Sequence, residues 1–261
     1  MDAPLRLDLA GPCATITFDD PDRRNALSTA MFDAIEPALD AVEASVAGSA
    51  SDAGRVLRLR GEGRAWCAGF DLDAMADDGM LPSFLTRLGG MCRRLRRLDA
   101  IVVAEVQGPA VAGGCAIVSA CDIVHAGPDA RFGYPVHRLG ISPAVSIPTL
   151  MPAVESGGAR HLMLGGDLVD AVTACRLGLA HAAHPDRESL AAAVTALCDR
   201  LAAMDRATIR ATKRFLNELD GTGRDGAFTA TIAASVERGG SDEAARMVAA
   251  TRDAMRARSR D

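Results

Sequence analysis

Aromatic side chains make up only 3% of the 261 residues, and Lys213 is the single lysine. A core with so few rings must be built from Ala, Leu, Val and Ile. Basic charge is not in excess: the net charge is −5 at pH 7, which argues against a nucleic-acid binder of the usual basic kind. The seven cysteines show no paired framework spacing, no CxxC occurs, and no His/Cys cluster has metal-ligand spacing. A disulfide scaffold and a structural metal are thereby excluded, and a reducing compartment is implied. No basic segment followed by an apolar stretch opens the chain, so no signal peptide is expected. The longest near-apolar run, Gly108–Cys121, is too short to cross a bilayer. The expectation is a soluble, cytoplasmic protein with no metal, no membrane and no nucleic-acid partner.

What is present suits one large domain or a core with a helical appendage. Hydrophobic residues reach 49% and charged residues 24%, enough for a sizeable core. Leu5–Leu9 and Cys13–Phe18 alternate around Ala10-Gly11-Pro12 and predict a β-hairpin. Ser28 caps a helix through Met31, Ile35, Leu39 and Val42, and Gly48–Gly54 reads as a polar loop. Val56–Leu59, Ile101–Val106 and Ile123–Ala126 read as strands. Helices are predicted over Leu81–Leu98 and about Gly113–Cys121. Strand–helix–strand alternation points to right-handed βαβ units and a parallel sheet. From Pro185 onward the pattern is helical: Ser189–Met204, Ala207–Leu219, Ala227–Glu237 and Asp242–Arg256. The division is therefore a β/α core over 1–185 and a helical region over 186–261. Arg93, Arg94, Arg96 and Arg97 form a basic stripe opposite Leu88, Met91, Leu95 and Leu98, read as a solvated face or a contact for an anion or a neighbouring subunit.

Two Gly-rich turns follow strands, Gly61–Leu72 and Gly108–Cys115. Loops at the carboxyl ends of parallel strands are where open α/β sheets bind ligands. Glycine lets a backbone N–H approach closely, and the second turn opens a helix whose free amides favour negative charge. Two amides aimed at one carbonyl oxygen would stabilise an enolate or a tetrahedral oxyanion. Neither turn is a phosphate loop or a dinucleotide fingerprint. Spacing alone leaves open glycines that merely permit tight turns.

The motifs narrow this. Pro21-Asp-Arg-Arg-Asn-Ala-Leu27 resembles the first signature of the enoyl-CoA hydratase/isomerase (crotonase) superfamily. Gly63-Arg-Ala-Trp-Cys-Ala-Gly-Phe-Asp-Leu72 resembles the second. Val106-Gln-Gly-Pro-Ala-Val-Ala-Gly-Gly-Cys115 with Ala120-Cys-Asp-Ile123 resembles the third, and Ala130-Arg-Phe-Gly-Tyr-Pro135 with Leu139-Gly140 the fourth. The similarity runs in order from about residue 5 to 250 and includes Arg176–Leu179 and Ala211–Lys213. It implies an α/β fold, the crotonase-like ββα superhelix with a C-terminal helical region. It also implies an oxyanion hole from the Phe70 and Gly113 amides, and a substrate and coenzyme A site formed by Arg24, Ala26, Ala68, Gly69, Asp71, Leu72, Pro135, Val136 and Gly140. Coenzyme A enters as part of the substrate, and no cofactor is held permanently. A homotrimer or dimer of trimers, built through the 186–261 helices, is implied as well; the apolar positions Leu201, Met204, Phe215, Leu216 and Leu219 of those amphipathic helices fit burial in either an intramolecular core or a subunit interface. Arg24 has a bland alternative as an exposed strand-end charge, and Asp71 as a helix N-cap.

The resemblance departs from the family at its acid/base positions. Hydration of an enoyl thioester needs a carboxylate-activated water and an acid to protonate the α-carbon. The family's glutamates correspond to Ala116 and Val136, and the aspartate of its dienoyl isomerases and dehalogenases to Ala144. None of these moves a proton. His137 and Tyr134 are the candidate substitutes, although in an extended segment the neighbour of an inward Val136 points away. Cys115 beside His125 would be a nucleophile pair only if close in space; a buried, inert thiol is the other reading. Ser142 and Ser146 lack the GxSxG context. Glu62, Asp73 and Asp78 are acidic groups that a loop could carry to the substrate.

Two functions follow. The first is a crotonase-like lyase, isomerase or hydrolase acting on an acyl-CoA, as in fatty-acid metabolism, with non-standard acid/base groups. The second is a non-catalytic acyl-CoA carrier or regulatory protein. A peptidase is a third reading because the related Clp proteases share the β/α superhelix, but no paired Ser and His signature supports it.

Overall fold

The computed structural model describes residues 3–48, 55–76 and 80–258. Most of the loop expected after Gly48, and Asp78, lie outside the described residues.

The alternating segments pair as their patterns require. β1 (Leu5–Asp8) and β2 (Cys13–Phe18) form the antiparallel hairpin. Ser28 Oγ accepts from the Met31 amide and starts α1 (Thr29–Ala47), whose apolar stripe returns the chain to β3 (Val56–Gly61), parallel to β2. The first Gly-rich turn leads into α2 (Leu72–Ala76) and α3 (Leu81–Arg97), then to β4 (Ile101–Val106), parallel to β3. β5 (Ala110–Val111), α4 (Gly113–Ser119), β6 (Ile123–Ala126) and β7 (Arg131–Gly133) follow, with 3₁₀ turns at Pro135–Leu139 and Pro143–Ser146. α5 (Ile147–Ala153), α6 (Ser156–Gly165), β8 (Val169–Asp170), α7 (Ala171–Leu177) and β9 (Ala182–Ala183) precede α8 (Arg187–Ala202), α9 (Arg206–Leu219), α10 (Asp225–Gly239) and α11 (Asp242–Arg258). The main sheet has the order β1-β2-β3-β4-β6-β9, parallel beyond the hairpin, and β5-β7-β8 form a small second sheet. This α/β superhelix with helices at its C-terminal end is the architecture expected.

Period-two alternation assigns the sheet's two faces. Ile16, Leu57, Leu59, Val102 and Ala104 point into the main core with α1, α3 and α4. Val56 and Val103 point the other way and are covered by Leu190, Val194, Leu197 and Leu201 of α8. On that second face Arg58 pairs with Glu105 and reaches Thr195 Oγ1 on α8. Although α8 falls within 186–261, its packing belongs to the sheet; only α9 to α11 lie on the α3 side. Lys213 of α9 is buried, with Nζ donating to the carbonyls of Leu95 and Ala100 and pairing with Asp122 at 2.6 Å.

The arginine stripe is engaged in ion pairs within the chain. Arg94 binds Asp40 and Glu43 of α1, Arg96 binds Asp220, and Arg97 binds Asp225. These pairs tie α3 to its neighbours, which the local sequence could not reveal because the acids lie far away along the chain. No described helix is long and apolar enough to cross a membrane.

Candidate active site

Three chain segments meet below the carboxyl ends of β2, β3 and β4. The first turns at Arg24 and Asn25, both left-handed (φ 56° and 54°). Asparagine tolerates this conformation, and Asn25 is fully buried as a clamp. Its Nδ2 donates to the Glu62 and Ala65 carbonyls at 3.0 and 2.9 Å, and its Oδ1 accepts from the Asp20 amide. The first segment is thereby fixed to the second.

The second segment, the Gly61–Leu72 turn, runs through Gly69 (φ 88°). Leu27 pairs with Phe70 as a parallel bridge, in which the Leu27 amide donates to the Gly69 carbonyl and the Asp71 amide to the Leu27 carbonyl. That pattern uses the groups on either side of Phe70, so the Phe70 amide points away from Leu27. The third segment is the β5–α4 turn. Ala112, at φ 52° without being glycine, is a strained residue of the kind that clusters at functional sites; its amide is held by the Gly133 carbonyl at 2.8 Å. Gly113 then begins α4, where its amide has no acceptor within the helix. A Cβ built on Gly69 would stand 3.5 Å from the Gly113 nitrogen, so the two turns are in direct apposition.

A cavity of about 1000 Å³ opens at this junction. It is large enough for a cofactor-sized ligand. Arg24, Ala26, Ala68, Phe70, Asp71 and Leu72 reach it from the first two segments, and Gly113, Tyr134, Pro135 and Val136 from the far wall. Leu85 and Leu88 of α3 and Ile141 and Val145 complete an apolar interior. Phe70 is held by Phe84 and Phe32, at ring distances of 5.6 and 6.3 Å. Asp71 Oδ1 accepts from the Asp73 and Ala74 amides at the start of α2, and the residue also lines the cavity. Arg24 is exposed at the rim.

Other sequence candidates lie elsewhere. Gly69 sits behind the Phe70 amide and outside the lining. Gly140 (φ 68°) is also absent from the wall; a Cβ there would come within 3.1 Å of Ala244 Cα, so its bare backbone admits α11. His137 is exposed, its Nε2 2.6 Å from the Met163 carbonyl oxygen. A carbonyl only accepts, so that nitrogen carries the proton, and the ring does not reach the cavity. The cause is not strand alternation: Pro135–Leu139 is a 3₁₀ turn, whose successive side chains diverge by about 120°, so Val136 is buried and His137 exposed. Cys115 is fully buried, and burial pushes its thiol up to about 12. His125 pairs with His184 (3.1 Å between ring nitrogens) and not with Cys115, so the inert reading holds. Glu62 binds Arg6, and Asp73 binds Arg256 at the cavity rim. Ala116 is buried in α4 behind the lining.

Tyr134 does line the cavity, and its side chain is 1% exposed. The hydroxyl faces Ser146, Ser119 and Cys115 without reaching hydrogen-bond geometry with any of them. Burial, then the neighbouring Cys115 thiol, pushes its pKa well above 10, so it is a permanent donor. Sequence reasoning missed the contribution of α11, whose Thr251, Arg252 and Met255 close one side. No local signal marks that contact, which depends on where the last helix folds back.

The sequence model described as Enoyl-CoA hydratase/isomerase matches residues 10–230. The chain belongs to that family. A Thermus thermophilus protein bearing an enoyl-CoA hydratase name is 35% identical over 84% of this chain and 85% of its own length. The 2,3-dehydroadipyl-CoA hydratase of Escherichia coli is 29% identical, covering 78% and 77%. Among solved structures, an enoyl-CoA hydratase/isomerase from Xanthobacter autotrophicus superposes with a TM-score of 0.84 at 28% identity, covering 98% and 96%. An enoyl-CoA hydratase from Mycobacterium avium gives 0.81 at 28% identity over 97% of both chains. Within this family frame the cavity occupies the junction of the two Gly-rich turns, and no described group of three or more His, Cys, Asp or Glu could hold a metal ion.

Proposed function

We propose that this enoyl-CoA hydratase/isomerase-family protein binds an acyl-CoA thioester and stabilises its enolate through the Phe70 and Gly113 amides. The apposition of the Gly69 and Gly113 turns across the cavity carries this reading. Donors fixed before charge develops are worth more than solvent, which must reorganise. Coenzyme A would enter past Arg24, Ala26, Ala68, Asp71 and Leu72, and the acyl group would lie against Pro135 and Val136. Tyr134 is the proton-bearing group we assign to the site in place of a glutamate; His137 takes no part. A second reading, an acyl-CoA carrier without chemistry, is favoured by one observation: Val136 lines the inner cavity at a position where hydration would need a carboxylate. The helical end is proposed to join subunits, a trimer or dimer of trimers.

The test is incubation of the full chain with enoyl-, alkanoyl- and carboxyacyl-CoA thioesters in heavy water, with mass spectrometry of the products and titration calorimetry of binding in parallel. Enzyme function requires a thioester converted with isotope in the product. Thioesters that bind and return unchanged establish the carrier, and absence of binding across the panel overturns both.

A further inference from the structure

The sheet face that α8 covers carries two thiols at one place, at the amino ends of the strands and so at the opposite end from the cavity. Cys13 opens β2 and is paired with Val56 of β3, and partners in a parallel ladder point to the same face. Because α8 covers Val56, Cys13 faces α8 as well. It packs against the apolar group that holds Leu190, Val194, Leu197, Cys198 and Leu201. Two hydrogen bonds fix the height of α8 along the sheet: Arg58 Nη1 donates to Thr195 Oγ1 at 3.3 Å, and Arg55 Nη1 to the Ala202 carbonyl at 2.9 Å. Arg55 and Arg58 flank Val56, while Thr195 and Ala202 flank Cys198, which is thereby held level with Val56 and Cys13. The two thiols meet there, and that of Cys198 donates a hydrogen bond to the Cys13 sulfur.

Cys13 is half-buried and Cys198 buried. The hydrogen bond from Cys198 lowers the pKa of Cys13, burial opposes it in part, and the Arg58 charge adds to the lowering; the same bond, with burial, raises the pKa of Cys198. A partly exposed, acidified thiol beside a second thiol is the arrangement of cysteines that oxidants modify reversibly. The other thiols differ: burial pushes Cys67, Cys92 and Cys115 up to about 12 and raises Cys121 and Cys175 as well. All seven cysteines are free in this structure.

We propose that Cys13 and Cys198 form a modification site, at which a hydroperoxide such as hydrogen peroxide converts the pair to a disulfide that a dithiol reverses. The Cys13 thiolate attacks one peroxide oxygen. The sulfur–oxygen bond forms as the oxygen–oxygen bond breaks, and the hydroxide that leaves takes up the proton Cys13 released, as water. Cys198 gives up its proton and attacks the sulfenic sulfur; the disulfide forms, the sulfur–oxygen bond breaks, and a second hydroxide leaves with that proton as water. Two electrons pass from the sulfurs to the peroxide. A dithiol returns them in two exchange steps and becomes a disulfide itself. The bond ties α8 to β2, and neither cysteine lines the cavity, so the site is independent of what the cavity holds.

The test treats the reduced full chain with hydrogen peroxide, blocks remaining thiols by alkylation, and reads the digest by mass spectrometry, with and without dithiothreitol after the peroxide. We expect a linked peptide pair joining Cys13 to Cys198, lighter by two hydrogens than the two thiol peptides and abolished by dithiothreitol. In Cys198→Ala, Cys13 should be trapped as its sulfenic acid by dimedone. Cys13→Ser should slow peroxide consumption by about tenfold or more. The oxidised wild-type chain should unfold at a higher urea concentration than the reduced one, because the link restricts the unfolded chain. Should a variant fold poorly, the wild-type peptide map and the urea shift decide without it. Peroxide that leaves both residues as thiols while other cysteines react overturns the proposal. So does oxidation of Cys13 to sulfinic acid without linkage, or a link that lowers the urea midpoint.

Discussion

At Gly114 a methyl group in the Cβ position would lie 2.4 Å from the Cys67 carbonyl oxygen. Both partners are backbone, one opening α4 and the other in the turn before Gly69, so neither can swing aside. The glycine therefore sets the distance between the two turns that meet at the cavity. Gly114→Ala should force them apart, costing about 1–3 kcal/mol of stability as overpacked sites do. It should lower thioester affinity more than it lowers the urea midpoint would suggest. Calorimetric titration alongside urea denaturation checks this, and unchanged binding would show that the spacing is not critical. Ala112 adds strain at the same place: its left-handed φ is one that alanine adopts at a cost, and the Gly133 carbonyl holds it there. The residues nearest the proposed oxyanion site are thus fixed by backbone crowding, with the Asn25 side chain clamping the start of the turn.

At the edge of the main sheet, β6 and β9 are joined through histidines. His125 and His184 stack at 5.0 Å between ring centroids, and His181 Nδ1 accepts from the Val124 amide at 2.9 Å. Burial, then repulsion from His184, lowers the pKa of His125, and burial lowers that of His181. Unfolded imidazole titrates near ~6.5, so the unfolded chain binds these protons more readily than the folded one. Their contribution to stability is present above about pH 6.5 and is lost as pH falls through the lower folded values. The urea midpoint should hold steady from about pH 8 to 7 and decline below about 6.5, and His125→Gln should flatten part of the decline. A midpoint that rises on acidification would reverse this account. This edge was not legible from the sequence: β9 is two residues long and exists only through its register with β6, and β5 and β8 are the same. The longer elements were legible, because Cys13–Phe18, Ile101–Val106 and the Ser28-capped helix carry their own periodicity. The site divides along the same line. The Gly turns and their neighbours were readable from motifs, whereas the unpaired Tyr134 hydroxyl and the cover from α11 arise from packing between distant segments.

Apolar surface is distributed unevenly over the whole molecule. Both faces of the sheet are filled, yet α9 leaves Phe215, Leu216 and Leu219 exposed at 65%, 57% and 85%. Its opposite side is anchored by buried Lys213 and Asn217, the latter donating to the Arg96 carbonyl, so the helix cannot rotate to hide them. Exposed Ile147 and Met151 of α5 lie beside the turn that follows Leu219, sharing a cleft with Gly221 and Ala227. Single exposed leucines need no explanation, but a group of large apolar side chains on one helix and its neighbour marks an interaction surface. Its position at the helical end of the chain supports the subunit contact proposed above. A closed assembly would bury all copies of this face at once, and a charge placed there would face its own symmetry mates or apolar surface without a partner. Leu219→Asp combined with Phe215→Asp should therefore shift the protein to monomer in sedimentation equilibrium while the far-ultraviolet circular dichroism stays unchanged, since neither residue supports the fold. A wild-type protein that sediments as a monomer at micromolar concentration would remove the assembly, and the exposed face of α9 would then need a different partner.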